Sequence, residues 1–397
     1  MRRIGVYGGS FNPPHNGHML AAQETIRALS LDELLFVPAG TPPHKELPDG
    51  SPTAQCRLEL LQLACKDMEK TEVCDIECRR EGPSYSFETM EQLKALYPQD
   101  ALFLLMGTDM FLSLHTWRNP DRICRCATIV LASRVENEGK IHRKILEQAA
   151  RLRTQFGASV QILDNRFIEI SSSTIRRMLV FGCAESYLAP AVLERIQTEK
   201  LYGVGEDLRH LPFAKLKEKS LALHKEKRVA HVIGCSETAA ALARRWGADE
   251  TDAARAGILH DVTKALDGPE QLRLCEKYGI MTDMFERTNT KLLHAKTGSA
   301  VAKEIFGEND AVYGAIYWHT TGKANMTLLE KILYLADYIE PNRVFDGVQK
   351  VRDLAFQDLD EALLLGLNMA MDELVREGKP LGQRSLEARD YLLKRKG

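Results

Sequence analysis

Hydrophobic patterning changes character once along the chain, and this change divides the sequence in two. Up to about residue 165, short apolar runs alternate with amphipathic segments; from about residue 213 onward only helical patterns remain. Short continuous apolar strands separated by helices are typical of a parallel sheet covered on both faces, whereas consecutive amphipathic helices indicate an all-α domain. The sequence therefore predicts a Rossmann-like α/β domain followed by an all-α domain, which suits a chain of 397 residues.

The domain boundaries are predicted from composition. The segment Gly203–Arg209 has two glycines and little apolar content, so we expect domains at 1–202 and 213–397 with a linker at 203–212. The predicted strands are Arg3–Tyr7, Leu34–Pro38, Val73–Cys78, Leu102–Met106, Thr128–Ala132 and Val160–Leu163. Helices are predicted near 18–29, 54–68, 86–96 and 141–155, and over Thr327–Ile339 and Leu359–Arg376.

Bulk composition excludes some classes of partner. The formal net charge of −2 gives no reason to expect nucleic acid or a membrane surface as a partner. No stretch reaches the roughly 18 apolar residues of a membrane helix, and the strand-like run at Ile4–Tyr7 leaves no signal peptide. The nine cysteines form no Cys-x-x-Cys pair. We interpret them as reduced thiols of a cytoplasmic protein, with structural zinc as the alternative. The charge-dense run Lys215–Arg228 is either a solvated helix face or a basic ligand-binding patch.

A glycine turn followed by two histidines stands directly after the first predicted strand. Gly8 and Gly9 let the backbone approach a phosphate because no Cβ is in the way. His15 and His18 fall at the start of the next helix, and their spacing of three puts both imidazoles on one side. Free N–H groups at a helix N-terminus favour an anion. We therefore predict that this segment binds nucleotide phosphates and stabilises the charge of phosphoryl or nucleotidyl transfer.

A second anion-binding element is predicted at Ile170–Arg176, which reads ISSSTIR. Hydroxyl-rich N-caps leave N–H groups and hydroxyls directed outward, and Arg176 adds a forked cationic donor. Taken alone, this is an ordinary helix cap. Together with the histidine motif, it predicts the other half of a triphosphate clamp.

Both motifs resemble the nucleotidyltransferase superfamily with the His-x-Gly-His signature, and over about residues 1–202 the chain is similar to bacterial nicotinate-mononucleotide adenylyltransferases. Asn12 stands where many of these enzymes have Asp, and Ser86 stands where Thr is common. The resemblance implies catalytic roles for His15 and His18. It also implies binding of ATP and nicotinate mononucleotide by Gly8, Gly9, Ser10, Phe11, His44, Lys45, Ser86, Gly107, Asp109, Trp117, Arg118, Ser172, Ser173 and Arg176.

By the same resemblance, Asp109 lies near a ribose. Ser86 and the backbone near Trp117 and Arg118 receive the nicotinate carboxylate, with Trp117 stacking on the pyridine ring; a buried core aromatic is the alternative for Trp117.

The implied reaction is attack by the mononucleotide phosphate on the α-phosphorus of ATP, which releases pyrophosphate and uses Mg²⁺ carried with ATP.

For His44 and Lys45, the alternative to a role in binding is that they belong to a solvated loop.

In the second half, histidine and aspartate recur in the order His, His-Asp, Asp. His260 and Asp261 close one apolar helical run, and Asp337 lies in a segment that is apolar nearly all round. A carboxylate in such a segment is costly to bury unless it is paired or bound to metal. Two metal ions about 3.5–4 Å apart could activate a bridging hydroxide and neutralise phosphate oxygens. We predict a two-metal centre, bridged by Asp261, with the ligands His231, His260, Asp261, His294, His319 and Asp337.

Lys264 is three residues past Asp261, on the same side if the helix continues, and we expect it to hold a substrate phosphate. Residues 213–397 resemble the HD-domain phosphohydrolases, and within them the bacterial symmetrical diadenosine-tetraphosphate hydrolases with a two-iron centre. The resemblance is carried by the runs LHDVTK (259–264), WHTTG (318–322) and LADYIEPNR (335–343), with Ala295 departing where the family often has Gly. It implies iron as the metal, catalytic roles for Asp261 and Lys264, and cleavage of diadenosine tetraphosphate into two ADP.

Two alternatives remain open for the second half. It could be a nucleotide-sensing module without turnover, or it could act on another phosphate substrate such as an alarmone or a nucleoside phosphate. Retention of the six candidate ligands and Lys264 favours catalysis. The run 335–343 favours a dinucleoside polyphosphate.

Overall fold

The computed structural model describes residues 1–42, 46–133, 139–164 and 170–395. The chain divides into two units, Met1–Glu206 and Asp207–Gly397. The nine cysteines are all free thiols. Among the described residues, no helix combines the length and the apolar character needed to span a membrane.

The first unit is built on one six-stranded sheet. Its strands are β1 (Arg3–Gly9), β2 (Glu33–Pro38), β3 (Thr71–Val73), β4 (Ala101–Met106), β5 (Thr128–Ser133) and β6 (Val160–Asp164). The spatial order is β3-β2-β1-β4-β5-β6, and every pairing is parallel. The connections diverge between β1 and β4, where ligands of doubly wound sheets bind beyond the carboxyl ends of the strands. The predicted α/β class is therefore confirmed.

Helices and short 3₁₀ turns connect these strands. The helices are α1 (Asn16–Leu29), α2 (Ala54–Cys65), α3 (Ser86–Leu96), α4 (Thr108–Ser113), α5 (Pro120–Cys126), α6 (Lys140–Phe156), α7 (Ser172–Val180) and α8 (Pro190–Thr198). The 3₁₀ turns lie at Leu114–Thr116, Glu185–Tyr187 and Leu201–Gly203.

The central strands are buried on both faces. Alternate residues of β2 supply two separate cores: Leu35 and Val37 belong to one, and Leu34 and Phe36 to the other. Side chains alternate across a strand, so a continuous apolar run is what a sheet covered on both sides requires.

The third strand differs from its prediction. The sequence predicts Val73–Cys78, but β3 ends at Val73 and pairs only with β2. After Cys74 the chain turns, with the N–H of Arg79 donating to the carbonyl of Asp75 at 3.1 Å. The turn buries Glu77, whose carboxylate accepts a hydrogen bond from Thr89 Oγ1 at 2.7 Å. The apolar residues of this run therefore pack beside an edge strand and do not extend it.

The second unit is helical in its described part. Its helices are α9 (Phe213–Leu223), α10 (Glu226–Trp246), α11 (Glu250–Leu259), α12 (Gly268–Lys277), α13 (Met284–Thr288), α14 (Leu293–Glu304), α15 (Asp310–Trp318), α16 (Leu328–Ile339), α17 (Val348–Ala355), α18 (Leu359–Arg376) and α19 (Gln383–Lys394), with a 3₁₀ turn at Thr290–Leu292. The helix predicted from Thr327 begins one residue later, because Thr327 is its N-cap in a reciprocal capping pair with Glu330. The predicted all-α second domain is confirmed.

Candidate functional sites

The β1–α1 connection places two histidine rings against each other at the start of a helix. His15 is the N-cap of α1, and its ring stacks on that of His18 with 3.7 Å between centroids. The backbone N–H of His15 donates to Nδ1 of His18 at 3.3 Å. Because Nδ1 is the acceptor, a neutral His18 carries its proton on Nε2. The predicted common orientation of the two rings is therefore present.

Burial keeps both rings neutral. It lowers the pKa of His15 to about 3, and burial together with the nearby His15 lowers the pKa of His18 well below its ordinary value. Both ring nitrogens of His15 are buried without a hydrogen-bond partner among the described residues. A buried polar atom without a partner costs free energy, so these nitrogens suit a ligand that supplies hydrogen-bonding groups, such as a phosphate oxygen for the N–H of the neutral ring.

Side chains of helix α7 donate hydrogen bonds to the β1–α1 connection. Ser171 caps the helix and accepts a hydrogen bond from the N–H of Thr174. Ser172 Oγ donates to the carbonyl of Pro13 at 2.9 Å, and Arg176 Nη1 donates to the carbonyl of Asn12 at 2.6 Å. The two sequence motifs, about 160 residues apart, are thus brought together, and the hydroxyls of Ser171 and Ser173 lie 2.7 Å apart at the helix start.

The glycines and their neighbours shape the loop. A Cβ added to Gly8 would meet no atom within 4 Å, so the space beside it is open, whereas one added to Gly9 would lie 3.2 Å from the ring of Phe11. Phe11 is buried, with a φ of 43°.

Arg57 is a site residue that sequence reasoning missed. It is 1% exposed and donates to the carbonyls of Ser10 at 2.6 Å, Ala39 at 2.6 Å and Gly40 at 3.0 Å. It therefore holds together the chain that leaves β1 and the chain that leaves β2.

The remaining predicted binding residues follow β4. Tyr7 pairs with Leu105, so the ends of β1 and β4 lie at the same edge of the sheet. Gly107 caps α4, and Asp109 is exposed in its first turn. Trp117 is half-buried against the core, and its indole N–H donates to Ser113 Oγ at 3.2 Å.

The side chain of Arg118 stands over the ring of Tyr85 at 4.6 Å, beside Ser86, which is the first residue of α3. Ser86 and Arg118 are thus neighbours through Tyr85. The predicted positions His44 and Lys45 lie outside the described residues.

In the second unit, the six predicted metal ligands come together around one carboxylate. Asp261 Oδ2 lies 3.8 Å from His231 Nε2 and 3.5 Å from His260 Nε2, and these nitrogens are 3.1 and 3.8 Å from Asp337 Oδ1. On the other side, Asp261 Oδ1 lies 3.1 Å from His294 Nε2 and 3.8 Å from His319 Nε2. The two oxygens of Asp261 therefore face two separate groups of ligands.

The four histidines turn the same nitrogen inward. Nδ1 of His260, His294 and His319 donates to the backbone carbonyl three residues earlier, at 2.7, 2.5 and 2.6 Å. Nδ1 of His231 faces Glu340 Oε1 at 3.1 Å. Because these partners only accept, the neutral form of each ring carries its proton on Nδ1 and presents the lone pair of Nε2 to the centre.

These lone pairs face each other at short distances. The Nε2 atoms of His231 and His260 are 3.3 Å apart, and those of His294 and His319 are 3.2 Å apart. Asp261 Oδ1 is buried without a hydrogen-bond donor among the described residues. Facing lone pairs and a carboxylate oxygen without a donor fit metal cations, and His231, His260 and Asp337, or His260, Asp261 and His319, offer three atoms within 4.8 Å of one another.

Electrostatics keep both carboxylates ionised and the rings of His294 and His319 neutral. Burial would raise the pKa of Asp261, but the surrounding histidines hold it well below its usual range; His231, His260 and Arg343 do the same for Asp337. Burial lowers the pKa of His294 to about 4 and also lowers that of His319. The carboxylates are therefore ionised and these two rings neutral near pH 7. His260 differs: burial lowers its pKa, but Cys235 and Asp261 raise it well above its ordinary value, so His260 must release a proton when it binds a cation.

Three cations stand around this centre. Lys264 Nζ lies 3.6 Å from Asp261 Oδ1, although α11 ends at Leu259 and the expected helix does not continue; a turn keeps the i, i+3 relationship. Arg228 Nε donates to Asp261 Oδ2 at 2.7 Å, and Arg343 Nη2 donates to Asp337 Oδ1 at 2.6 Å.

The sequence prediction left out both of these arginines and Glu340. Arg228 ends the charge-dense run Lys215–Arg228, which is not one solvated face: α9 ends at Leu223 and α10 begins at Glu226. Their spacing from the ligands was the one signal that could have identified them. Arg228 precedes His231 by three residues on one helix, and Glu340 and Arg343 follow Asp337 by three and six residues.

Comparison with known proteins divides the chain in the same way. A family model described as cytidylyltransferase-like matches residues 6–178, and an HD-domain model matches residues 228–342. A protein of Shouchella clausii, described as a probable nicotinate-nucleotide adenylyltransferase, is 39% identical over 204 residues, which is 51% of this chain and 98% of that protein. A protein of Shewanella sp. strain MR-7 with the same description is 36% identical over 211 residues, covering 50% of this chain and 99% of its own length.

Among solved structures, a Clostridium acetobutylicum protein described as a predicted HD superfamily hydrolase involved in NAD metabolism is similar to this chain. It is 37% identical, with a TM-score of 0.45, over 47% of this chain and 98% of that one.

Proposed function

The first half of the chain belongs to the nicotinate-nucleotide adenylyltransferase family, and from that premise we propose that it transfers AMP from ATP to nicotinate mononucleotide, giving nicotinate adenine dinucleotide and pyrophosphate. The observation that carries the proposal is the pairing of the stacked His15 and His18 with the N-terminus of α7 at one end of the sheet.

The proposed chemistry needs no protein nucleophile. ATP enters as its magnesium complex, and the mononucleotide phosphate attacks the α-phosphorus while pyrophosphate leaves. The Nε2–H of His18 donates to a phosphate oxygen, and Arg176 adds a fixed positive charge beside it. A neutral imidazole that meets a phosphate dianion has its pKa raised, so the pair can become more positive as the transition state forms.

The direct test is product analysis with the full-length chain. Nicotinate mononucleotide and MgATP should give the dinucleotide and pyrophosphate in equal amounts. Pyrophosphate without dinucleotide, or no consumption of either substrate, would contradict the proposal.

For the HD domain we propose symmetrical hydrolysis of diadenosine tetraphosphate to two ADP at a two-metal centre, with iron as the metal. The division of the Asp261 oxygens between two ligand groups carries this proposal. Divalent cations held by the six residues would polarise water and neutralise phosphate oxygens. Water adds to one of the two central phosphorus atoms, the bond from that phosphorus to the bridging oxygen breaks, and each half leaves as ADP.

The cations of this chain hold the polyphosphate. The side chains of Lys264, Arg228 and Arg343 are 38%, 28% and 35% exposed. Lys264 and Arg228 adjoin the fully buried carboxylate of Asp261, and Arg343 adjoins the carboxylate of Asp337. Each can therefore meet an oxygen of a substrate that arrives from solvent. A tetraphosphate offers more oxygens to this set than a monophosphate does, which supports a dinucleoside polyphosphate.

Product identity tests the second proposal. Metal-replete protein should convert diadenosine tetraphosphate into ADP alone. AMP together with ATP would mean asymmetric cleavage. If diadenosine tetraphosphate binds tightly but is not cleaved, the result would support a nucleotide-sensing domain. If other nucleoside phosphates or alarmones are cleaved and diadenosine tetraphosphate is not, the substrate would have to be reassigned.

A further inference from the structure

The four histidines of the HD centre are not oriented by equivalent partners. His260, His294 and His319 each donate to a backbone carbonyl, whereas His231 faces the carboxylate of Glu340 at 3.1 Å. A carboxylate raises the basicity of an imidazole more than a carbonyl does, because it stabilises the positive charge that the ring acquires when Nε2 binds a cation. His231 is therefore the strongest donor of the four.

Glu340 is fixed in this orientation. It is 1% exposed, and its other oxygen, Oε2, accepts from the backbone N–H of Asn342 at 2.7 Å and from Asn342 Nδ2 at 2.9 Å. A Cβ on Gly234, one turn after His231 on α10, would lie 2.5 Å from Oε2. The absence of a side chain at Gly234 is thus what lets the carboxylate reach the imidazole.

The opposite ligand group carries a competitor. Lys264 Nζ lies 2.8 Å from Nε2 of His294. An imidazole nitrogen has a single lone pair, so the Lys264 ammonium and a metal ion cannot use His294 together. In the ligand group that contains His231, the cations use carboxylate oxygens: Arg228 donates twice to Asp261 Oδ2, and Arg343 donates to Asp337 Oδ1. No cation among the described residues donates to Nε2 of His231 or His260.

We propose that the two metal positions fill in order. The position formed by His231, His260 and Asp337 binds first and more tightly, because Glu340 strengthens it. The position formed by His294 and His319 binds second, and Lys264 leaves His294 as it fills. This rests on the metal centre proposed above. It makes Glu340 a positioning residue, and it frees the Lys264 ammonium for a substrate phosphate only when both positions are occupied.

Manganese(II) is a suitable probe of this order. The full-length chain, without nucleotide, is equilibrated by dialysis at graded free Mn²⁺, bound metal is counted, and electron paramagnetic resonance separates isolated ions from coupled pairs. The wild-type chain should bind in two steps, with an isolated-ion spectrum at one equivalent. Glu340→Gln should weaken the first step by about 10–100-fold, the scale of losing an outer partner of a ligand histidine. Lys264→Met should strengthen the second step.

A matched control is Glu308→Gln. Glu308 is another buried carboxylate of the second unit, but it pairs with Arg255 at 2.6 Å and not with a candidate ligand. It should leave both steps in place. If Glu340→Gln fails to fold, Lys264→Met still tests the order, since Lys264 is partly exposed.

The inference would be wrong if the wild-type chain bound both ions in one step, or if both variants bound Mn²⁺ as the wild-type chain does. Either result would contradict the order of filling but not the metal centre itself. A chain that binds no Mn²⁺ at all would overturn the metal centre and this inference with it.

Discussion

Arg228 and Asp261 form an ion pair in which the guanidinium Nε donates to Oδ2 at 2.7 Å, while the arginine side chain stays 28% exposed and the aspartate is fully buried. One arginine therefore touches both the proposed metal bridge and the solvent from which a polyphosphate arrives. We expect Arg228→Met to raise KM for diadenosine tetraphosphate by about 10–100-fold, the scale of one charged hydrogen bond of ~1.5–3 kcal/mol.

The matched control is Arg244→Met on the same helix, because Arg244 is exposed and pairs with Glu250. Steady-state kinetics on both variants provide the measurement. Unchanged KM in Arg228→Met would remove Arg228 from the proposed substrate contacts.

Replacing the central carboxylate should separate the two proposed activities. Asp261→Ala removes the one residue that faces both ligand groups, so metal content of the HD domain and tetraphosphate hydrolysis should both fall to background. Synthesis of the dinucleotide should stay at the wild-type rate, because its residues belong to the other unit. Metal analysis and both assays on one preparation check this, and retained hydrolysis would contradict the assignment.

Loss of the His18 imidazole should slow adenylyl transfer. A preorganised donor to a phosphate in the transition state contributes about 2.7–4 kcal/mol, so kcat of His18→Ala should fall by roughly 10²–10³. His142→Ala on α6 is the control, since His142 belongs to no candidate site. The measurement is the rate of dinucleotide formation at saturating substrate concentrations. Near-normal turnover in His18→Ala would contradict the proposed role of His18 in stabilising the transition state.

The choice between acid and amide substrates should depend on Ser86. Its hydroxyl and nearby backbone N–H groups would donate to a carboxylate, whereas a carboxamide would place its own NH₂ against donors. Nicotinate mononucleotide should therefore be preferred to the nicotinamide form. Ser86→Ala should reduce the ratio of the two kcat/KM values by about fivefold, for ~1 kcal/mol. Ser86→Thr keeps the hydroxyl and should keep the ratio; equal efficiency of the wild-type enzyme on both substrates would count against this account.

Acid should destabilise the first unit through His15. Burial lowers its pKa to about 3, whereas in the unfolded chain it titrates near 6.5. Below pH 6.5 the unfolded chain takes up a proton that the folded unit does not, so the free energy of unfolding falls as the pH drops towards 3. Between pH 7 and pH 5 this residue should account for ~2 kcal/mol.

Amide hydrogen exchange in β1 and α1, corrected for the intrinsic pH effect, would measure this change. His15→Gln should show a smaller loss over the same range. An identical pH dependence in the two proteins would show that His15 is not the responsible group.

The sheet could be predicted from the sequence because burial on both faces leaves continuous apolar runs, as in Leu34–Pro38 and Leu102–Met106. The third strand could not, since an edge strand of three residues has too few apolar positions to separate it from the packed turn that follows. His15 and His18 were identifiable because their relationship is local to one helix start.

Other site residues could not be predicted, because their contacts join parts of the chain that are far apart in the sequence. Arg57 looks like a surface residue of an amphipathic helix, and only the folded chain brings the carbonyls of Ser10 and Ala39 to its guanidinium. Arg228 meets Asp261 across 33 positions, and Glu340 meets His231 across 109. These long-range pairings cannot be read from the sequence. The spacing of Arg228 from His231, and of Glu340 from Asp337, indicates only that each partner lies near a ligand.

Both units belong to one polypeptide, joined between Glu206 and Asp207. Translation therefore delivers the two proposed enzymes in a fixed ratio of one to one. A change in gene dosage or degradation of the chain would alter the capacity to make the dinucleotide and the capacity to remove the tetraphosphate in equal proportion. The supply of metal or of substrate could still change one rate without the other.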